Sequence, residues 1–264
     1  MTYKRLLIDN RGGVAYVTLN RPEVHNALDE LSLDEISHAF KALAKDPSVR
    51  AAVISGAGKT FCAGADIGWM RRASEYGKAQ NVKDATRLIH MCRAVDEAPF
   101  AVIARVHGNC FGGALGVIGA CDIVLAESET RFRCSEGRLG LIPAVVSTFV
   151  LPKIGISQAR RLFLTAESFD AATAQSVGLV HAVAPLAELD QAVGKVVDQV
   201  LKNGPVAVKQ AKSYIQRLEG MSRARRIAHS VTELARVRAS PEAKEGLSAF
   251  LEKREPSWTT ESRI

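Results

Sequence analysis

Two small-residue turns carry the first chemistry this sequence offers. In Val106–Asp122, VHGNCFGGALGVIGACD, the β-rich run Phe100–Val106 leads into a glycine turn and then a short Ala/Leu/Val/Ile segment bearing Gly116 and Gly119. That order predicts a strand, a tight turn and a buried helix start. Gly112 and Gly113 remove side chains where the helix begins, so unpaired N–H groups and the positive end of the helix dipole can face a ligand. The same glycines would equally serve only to let the helix pack closely on the sheet. No GxGxxG or GxxxxGK pattern accompanies them, so the ready-made dinucleotide and phosphate loops gain little support. The second turn lies in GAGKTFCAGADIGWMRR, after the apolar run Ala51–Ser55, and concentrates Ala63, Gly64 and Ala65 before Asp66 and Ile67. Two such turns after parallel-type strands bring backbone donors together at the carboxyl ends of the strands, where α/β folds bind ligands. Two converging N–H groups make an oxyanion hole, which stabilises a carbonyl oxygen as it gains negative charge.

The elements that must position these turns follow from periodicity. Leu6–Asp9 and Val14–Leu19 read as strands of a hairpin, split by Asn10-Arg11-Gly12-Gly13, and Arg21-Pro22 ends the second. Leu31, Leu33, Ile36, Phe40 and Leu43 recur at helical spacing up to Asp46-Pro47, predicting an amphipathic helix. Trp69 and Met70 fall in a polar, helix-compatible segment. Pro143 and AVVSTFVLPKIG suggest a helix at the inner wall, followed by helices over Ser157–Leu164 and Ala171–Ser176 and a strand over Gly178–Val183. Leu186–Asn203, Pro205–Glu219 and Ser222–Arg238 read as amphipathic helices, broken at Gly204-Pro205 and Gly220. The polar tail after Glu255 is expected to be mobile.

Composition sets the outer limits. The chain of 264 residues is 47% hydrophobic, enough to bury a large core as one α/β domain with a helical appendage. Cys62, Cys92, Cys110, Cys121 and Cys134 include no CxxC pair and lie mostly in apolar surroundings, which argues against a disulfide framework or a zinc site and for reduced core thiols in a cytoplasmic protein. The N-terminal segment lacks a cleavage pattern, and no window reaches the roughly 18 apolar residues of a membrane span. The net charge is +7. Its excess is concentrated over Lys202–Arg238, where Lys and Arg face only Glu219 and Glu233. Such a field suits nucleic acid, an acidic partner or a phosphorylated cofactor, or is simply a solvated helix surface. With Tyr214 alone interleaved, a base-stacking surface is not indicated.

Several ordered motifs together carry a family resemblance. HNALD at His25–Asp29, FCAGADI at Phe61–Ile67, GNCFGGALGVIGACDIVLA and RFRCSEGRLGLIP resemble the crotonase superfamily of acyl-CoA enzymes, typified by enoyl-CoA hydratases, over nearly the whole chain. The resemblance implies an α/β spiral of ββα units, ClpP-like, over residues 1–200, and a C-terminal helical region, 201–264, that assembles trimers or dimers of trimers and completes the CoA pocket. It puts the oxyanion donors on the N–H groups of Ala65 and Gly113. His25, Ala27, Ala63, Asp66, Ile67, Gly112, Gly116 and Pro143 would line the acyl-CoA groove. Of the two glutamates of archetypal hydratases, one falls on Glu136 and the other on Gly116, which cannot transfer a proton. Glu136 alone would then activate water for addition to the α,β double bond, or shuttle a proton between Cα and Cγ in an isomerase.

A finer resemblance links FGGALG, ADIGWMRR and SEGRLGLIPAVVS to bacterial methylglutaconyl-CoA and isohexenylglutaconyl-CoA hydratases. It implies an acyl chain with a second carboxylate, room for a branch beside Gly116, and recognition by Arg71, Arg72, Arg133 or Arg138. CoA enters as part of the substrate; no metal, flavin or nicotinamide is called for. A rival, non-catalytic reading treats Gly116 as decay of the site and the basic helices as an RNA- or partner-binding surface. The intact motifs and the scarcity of aromatics weigh against nucleic acid as partner.

Overall fold

The computed structural model describes residues 2–260. Strands β1 (Leu6–Arg11) and β2 (Val14–Leu19) form an antiparallel hairpin. Its turn is only Gly12-Gly13, at φ 56° and 75°. Positive φ at both central residues matches the twist of the flanking strands, so β1 runs two residues further than the sequence suggests. After a 3₁₀ turn at Pro22–Val24 comes α1 (Glu30–Leu43). Asp29 caps it, its carboxylate accepting from Ser32 N at 2.8 Å. Leu33, Ile36, Phe40 and Leu43 turn into the core, each buried side chain contributing about 1.5–3 kcal/mol.

The rest of the core winds as a spiral. β3 (Ala51–Gly56) is followed by α2 (Ile67–Ala73) and α3 (Lys78–Asp96). β4 (Ala101–Val106), β5 (Asn109–Phe111) and α4 (Gly113–Ala120) form the next turn. β6 (Ile123–Glu127), β7 (Arg131–Arg133) and α5 (Ala144–Thr165) form a third. Then come β8 (Phe169–Asp170), α6 (Ala171–Ser176), β9 (Ala182–Ala184) and α7 (Leu186–Lys202). In each ββα turn the first strand joins a six-stranded sheet of order β1-β2-β3-β4-β6-β9, parallel from β2 onward. The second joins the small sheet β5-β7-β8. In the β3 turn that role shrinks to one bridge, Cys62 to Cys110. The α/β spiral expected from the motifs is therefore the fold.

Several local expectations are corrected. Gly178–His181 is not strand: Gly178, at φ 86°, closes α6, and extended pairing starts at Ala182. The inner-wall helix and the helix over Ser157–Leu164 are two helices as expected, abutting within α5 where Gly155 leaves helical geometry at φ 70°. Helix α3 has too weak an apolar stripe to have been singled out, and α10 (Pro241–Leu251) follows α8 (Pro205–Leu218) and α9 (Arg223–Arg238). The tail after Glu255, expected to be mobile, begins with a short helix. α11 (Ser257–Thr260) docks through the Trp258 indole, which donates to Lys202 O at 3.1 Å. The remainder of that expectation lies outside the described residues.

Two apolar layers sandwich the large sheet. Val17, Ile54, Val102 and Val124 face the helices of the spiral, and Val14, Val53, Ile103 and Leu125 face α7. Part of the C-terminal charge is spent internally: Lys212 Nζ donates to Asp122 Oδ2 at 2.7 Å, and Arg217 and Arg236 share Glu233. The five cysteines are buried free thiols. Among the described residues no helix is long and apolar enough to cross a membrane.

Candidate active site

The two small-residue turns meet. Cys62 N donates to Asn109 O at 3.1 Å and Phe111 N to Cys62 O at 3.2 Å, zipping the segment after β3 against β5. Beyond this zipper the two backbones run against each other, most tightly at Gly64. A Cβ on Gly64, at φ 100°, would lie 3.0 Å from Phe111 O, and one on Gly112, at φ 51°, would lie 4.0 Å from Gly64 Cα. Positive φ favours glycine at both positions, and at Gly64 a side chain would also press on the Phe111 carbonyl.

Ala65 and Gly113 sit on the two lips of this junction, half-buried. Leu28 N donates to Gly64 O at 2.7 Å and Asp66 N to Leu28 O at 2.8 Å, so Ala65 is bracketed while its own N–H points elsewhere. Gly113 opens α4, where the first N–H groups have no intrahelical acceptor. Among the described residues neither N–H has a protein partner.

The carboxyl of Glu136 arrives at the same place from the third turn of the spiral. Gly112 N donates to Arg133 O at 2.9 Å, locking β7 to the glycine turn, and Glu136 follows in a 3₁₀ turn, Glu136–Leu139. An added Cβ on Gly112 would lie 3.8 Å from Glu136 Oε1 and 3.0 Å from Ser135 Oγ. Glu136 Oε2 is buried and has no partner among the described residues. Burial, only partly offset by a backbone hydrogen bond, raises its pKa above the ordinary glutamate value. Burial also pushes the neighbouring Cys134 thiol, and that of Cys62, up to about 12, so neither supplies a thiolate.

The remaining residues expected to line the groove divide into those at the junction and those turned away. His25 and Asn26 are left-handed, at φ 54° and 55°, which turns the chain back so that His25 O accepts from Ala63 N at 2.9 Å. The Asn26 side chain pins this bend, donating to Ala57 O at 2.8 Å and Thr60 O at 2.7 Å. His25 is exposed and Ala27 buried. Ile67 projects to solvent, 74% exposed, at the start of α2. Asp66 turns its carboxylate inward. Oδ1 caps α2 by accepting from Trp69 N at 3.1 Å, and Oδ2 takes Arg21 Nη2 at 3.0 Å. Burial alone would raise its pKa, but these partners outweigh it and hold it below the usual aspartate value. Pro143 caps α5.

The room expected beside Gly116 is absent. A Cβ there would lie 3.2 Å from Cys92 Sγ and 3.6 Å from Val146 Cγ2, so α3 and α5 already fill the space. Of the four candidate arginines, Arg72 is bound to Glu30 at 2.7 Å, and Arg71 and Arg138 are exposed. Arg133 lies with its guanidinium carbon 5.8 Å from the Phe111 ring centre, and its buried Nε has no partner among the described residues. The residue that sequence reasoning missed is Arg21. Its guanidinium, 12% exposed, reaches Ala27 O at 2.6 Å as well as Asp66, and its place in Asn20-Arg21-Pro22 at a strand end marked only a stop.

Comparison with known proteins shows the family. The family model for enoyl-CoA hydratase/isomerase matches residues 9–261. The chain is 31% identical to a short-chain-enoyl-CoA hydratase of Clostridium acetobutylicum, over 96% of this chain and 97% of that one. It is 32% identical to a crotonyl-CoA hydratase of Syntrophomonas wolfei, over 98% and 99%. The crystal structure of an enoyl-CoA hydratase from Shewanella pealeana superposes with a TM-score of 0.94 at 36% identity, covering 97% of each chain. By fold, by the run of motifs around the two turns and by these likenesses, the chain belongs to the enoyl-CoA hydratase/isomerase family.

Proposed function

We propose that this protein is an enoyl-CoA hydratase that works with one carboxylate. The observation carrying this reading is the meeting of two unpartnered N–H groups, on Ala65 and Gly113, beside a buried carboxyl with an orphaned oxygen, on Glu136. The thioester carbonyl of an α,β-unsaturated acyl-CoA accepts from both N–H groups. Glu136 takes a proton from water as the oxygen attacks Cβ, and the electron pair of the double bond moves into the thioester as an enolate. Each N–H is worth roughly 3–4 kcal/mol to that oxyanion. The protonated Glu136 then returns a proton to Cα, so one molecule of water is added. A raised pKa suits a group that must act as base and then as acid.

The acyl chain is proposed to carry a second carboxylate, as in 3-methylglutaconyl-CoA. Arg133 supports this, because it is a guanidinium beside the glycine turn with no carboxylate of its own among the described residues. Homotrimers or dimers of trimers are proposed from the unpaired apolar faces of α9 and α10, where Val231 is 68% and Phe250 80% exposed.

Purified protein and its Glu136→Gln variant, assayed on 3-methylglutaconyl-CoA, crotonyl-CoA and a 3-enoyl-CoA with products followed by mass, test the reaction. The expected outcome is water gained by the 2-enoyl substrates and a kcat about 10²- to 10⁴-fold lower in the variant. Movement of the double bond without change of mass would make the protein an isomerase instead. Arg133→Met should lower kcat/KM about 10- to 10²-fold on the glutaconyl substrate and leave crotonyl-CoA unaffected; equal losses on both would remove Arg133 from the recognition of the acyl chain.

A further inference from the structure

The lip that carries Ala65 is held by a single guanidinium at the end of β2. Arg21 Nη1 donates to Ala27 O at 2.6 Å and lies 3.4 Å from Asp29 Oδ2, while Nη2 donates to Asp66 Oδ2 at 3.0 Å. These acceptors flank the pair that sets Ala65. Ala27 precedes Leu28, whose N–H and carbonyl bond Gly64 and Asp66, and Asp66 follows Ala65 directly. One planar fork therefore grips both strands of the Leu28–Ala65 bridge from the same side. Arg21's own backbone is fixed in turn, its N–H donating to Asn26 Oδ1 at 2.9 Å and its carbonyl accepting from Asn26 N at 2.8 Å. Asp66 extends the grip to α2 through Trp69 N. The hydrogen-bond direction of an alanine N–H has no side chain of its own to set it, so it depends on what holds the flanking peptides.

We propose that Arg21 is a positioning residue for the contact between Ala65 N–H and the substrate carbonyl. It rests on the hydratase reading above. Arg21 acts through Ala27 and Asp66 and does not touch the thioester. A lysine offers a point charge where the site uses a fork, so it can pair with Asp66 but cannot also hold the Ala27 carbonyl in the same plane.

The test uses wild-type protein, Arg21→Lys, Arg21→Met and Asp66→Asn, each loaded with butyryl-CoA labelled with ¹³C at the thioester carbonyl, a saturated chain that cannot be hydrated. Infrared difference spectra read the carbonyl stretch, steady-state kinetics on crotonyl-CoA read kcat and KM, and thermal melting reads folding. In the wild type the bound carbonyl is expected to shift to lower frequency than in water. Arg21→Met should lose most of that shift and drop kcat on the order of 10²-fold with a smaller change in KM. Arg21→Lys should melt near the wild type yet recover little of the shift. Asp66→Asn keeps a capping oxygen for α2 and should fall between, which keeps the test open should Arg21→Met fail to fold. Folded Arg21→Lys and Asp66→Asn with the full wild-type shift and kcat would overturn the proposal. A wild-type carbonyl with no shift would instead overturn the oxyanion reading on which it rests.

Discussion

At the scale of single residues, Glu136 is a carboxyl kept where a carboxylate is least comfortable. Its folded pKa is raised by burial, so its contribution to stability is fully present below the unfolded glutamate value of about 4.3 and is lost as pH rises through the folded value. Glutamine is neutral throughout and escapes that loss. Glu136→Gln should therefore melt higher than wild type at neutral pH, and the difference should shrink as pH falls toward 4; a variant that melts lower at every pH would mean that Glu136 stabilises the fold. Single residues are also where the sequence was least readable. Glu136 stood out by its motif, but a bare Gly116 looked like vacated space, because nothing along the chain says that Cys92 of α3 and Val146 of α5 fill it. Arg21 was passed over for the same reason: the carbonyl of Ala27 and the carboxylates of Asp29 and Asp66 that surround it are a set assembled only by the fold.

At the scale of elements, the first turn of α4 decides the most. Gly113 is its first residue, with ordinary room around it: a Cβ there would meet Leu28 Cδ1 at 3.8 Å and Leu88 Cδ1 at 3.9 Å. Proline is well tolerated at a helix's first position and lacks only the N–H. Gly113→Pro should leave thermal stability close to wild type while cutting kcat about 10²- to 10³-fold, the effect of deleting one oxyanion donor; wild-type turnover in a folded variant would remove Gly113 N–H from the reaction. Elements with long apolar periodicity were legible. The hairpin, α1, α7 and the parallel strands β3 and β4 fall where patterning puts them within a few residues. The strands of the small sheet did not show, since β5, β7 and β8 are three, three and two residues long and too short for any period to register. Those short strands are what carry Gly112 and Glu136 to one point.

At the scale of the whole molecule, the C-terminal helices are incompletely covered. Ile227, Val231 and Leu234 line one face of α9, and Leu247, Phe250 and Leu251 stand exposed on α10. An apolar face of this extent suits burial against another copy. Light scattering should find wild type as a trimer or a multiple of three and Val231→Glu/Leu234→Glu shifted toward monomer; a monomeric wild type at micromolar concentration would end the assembly reading. The same C-terminal region also reaches back to the beginning of the spiral. Arg50, at the mouth of β3, donates to the carbonyls of Leu201 at 2.7 Å, Asn203 at 2.7 Å and Trp258 at 3.0 Å. In the order of biosynthesis this guanidinium precedes its Trp258 acceptor by 208 residues. A nascent chain can stack its ββα turns as they emerge, but this clasp closes only once Trp258 has followed them, so the completed clasp marks a chain whose spiral and C-terminal helices have both been made.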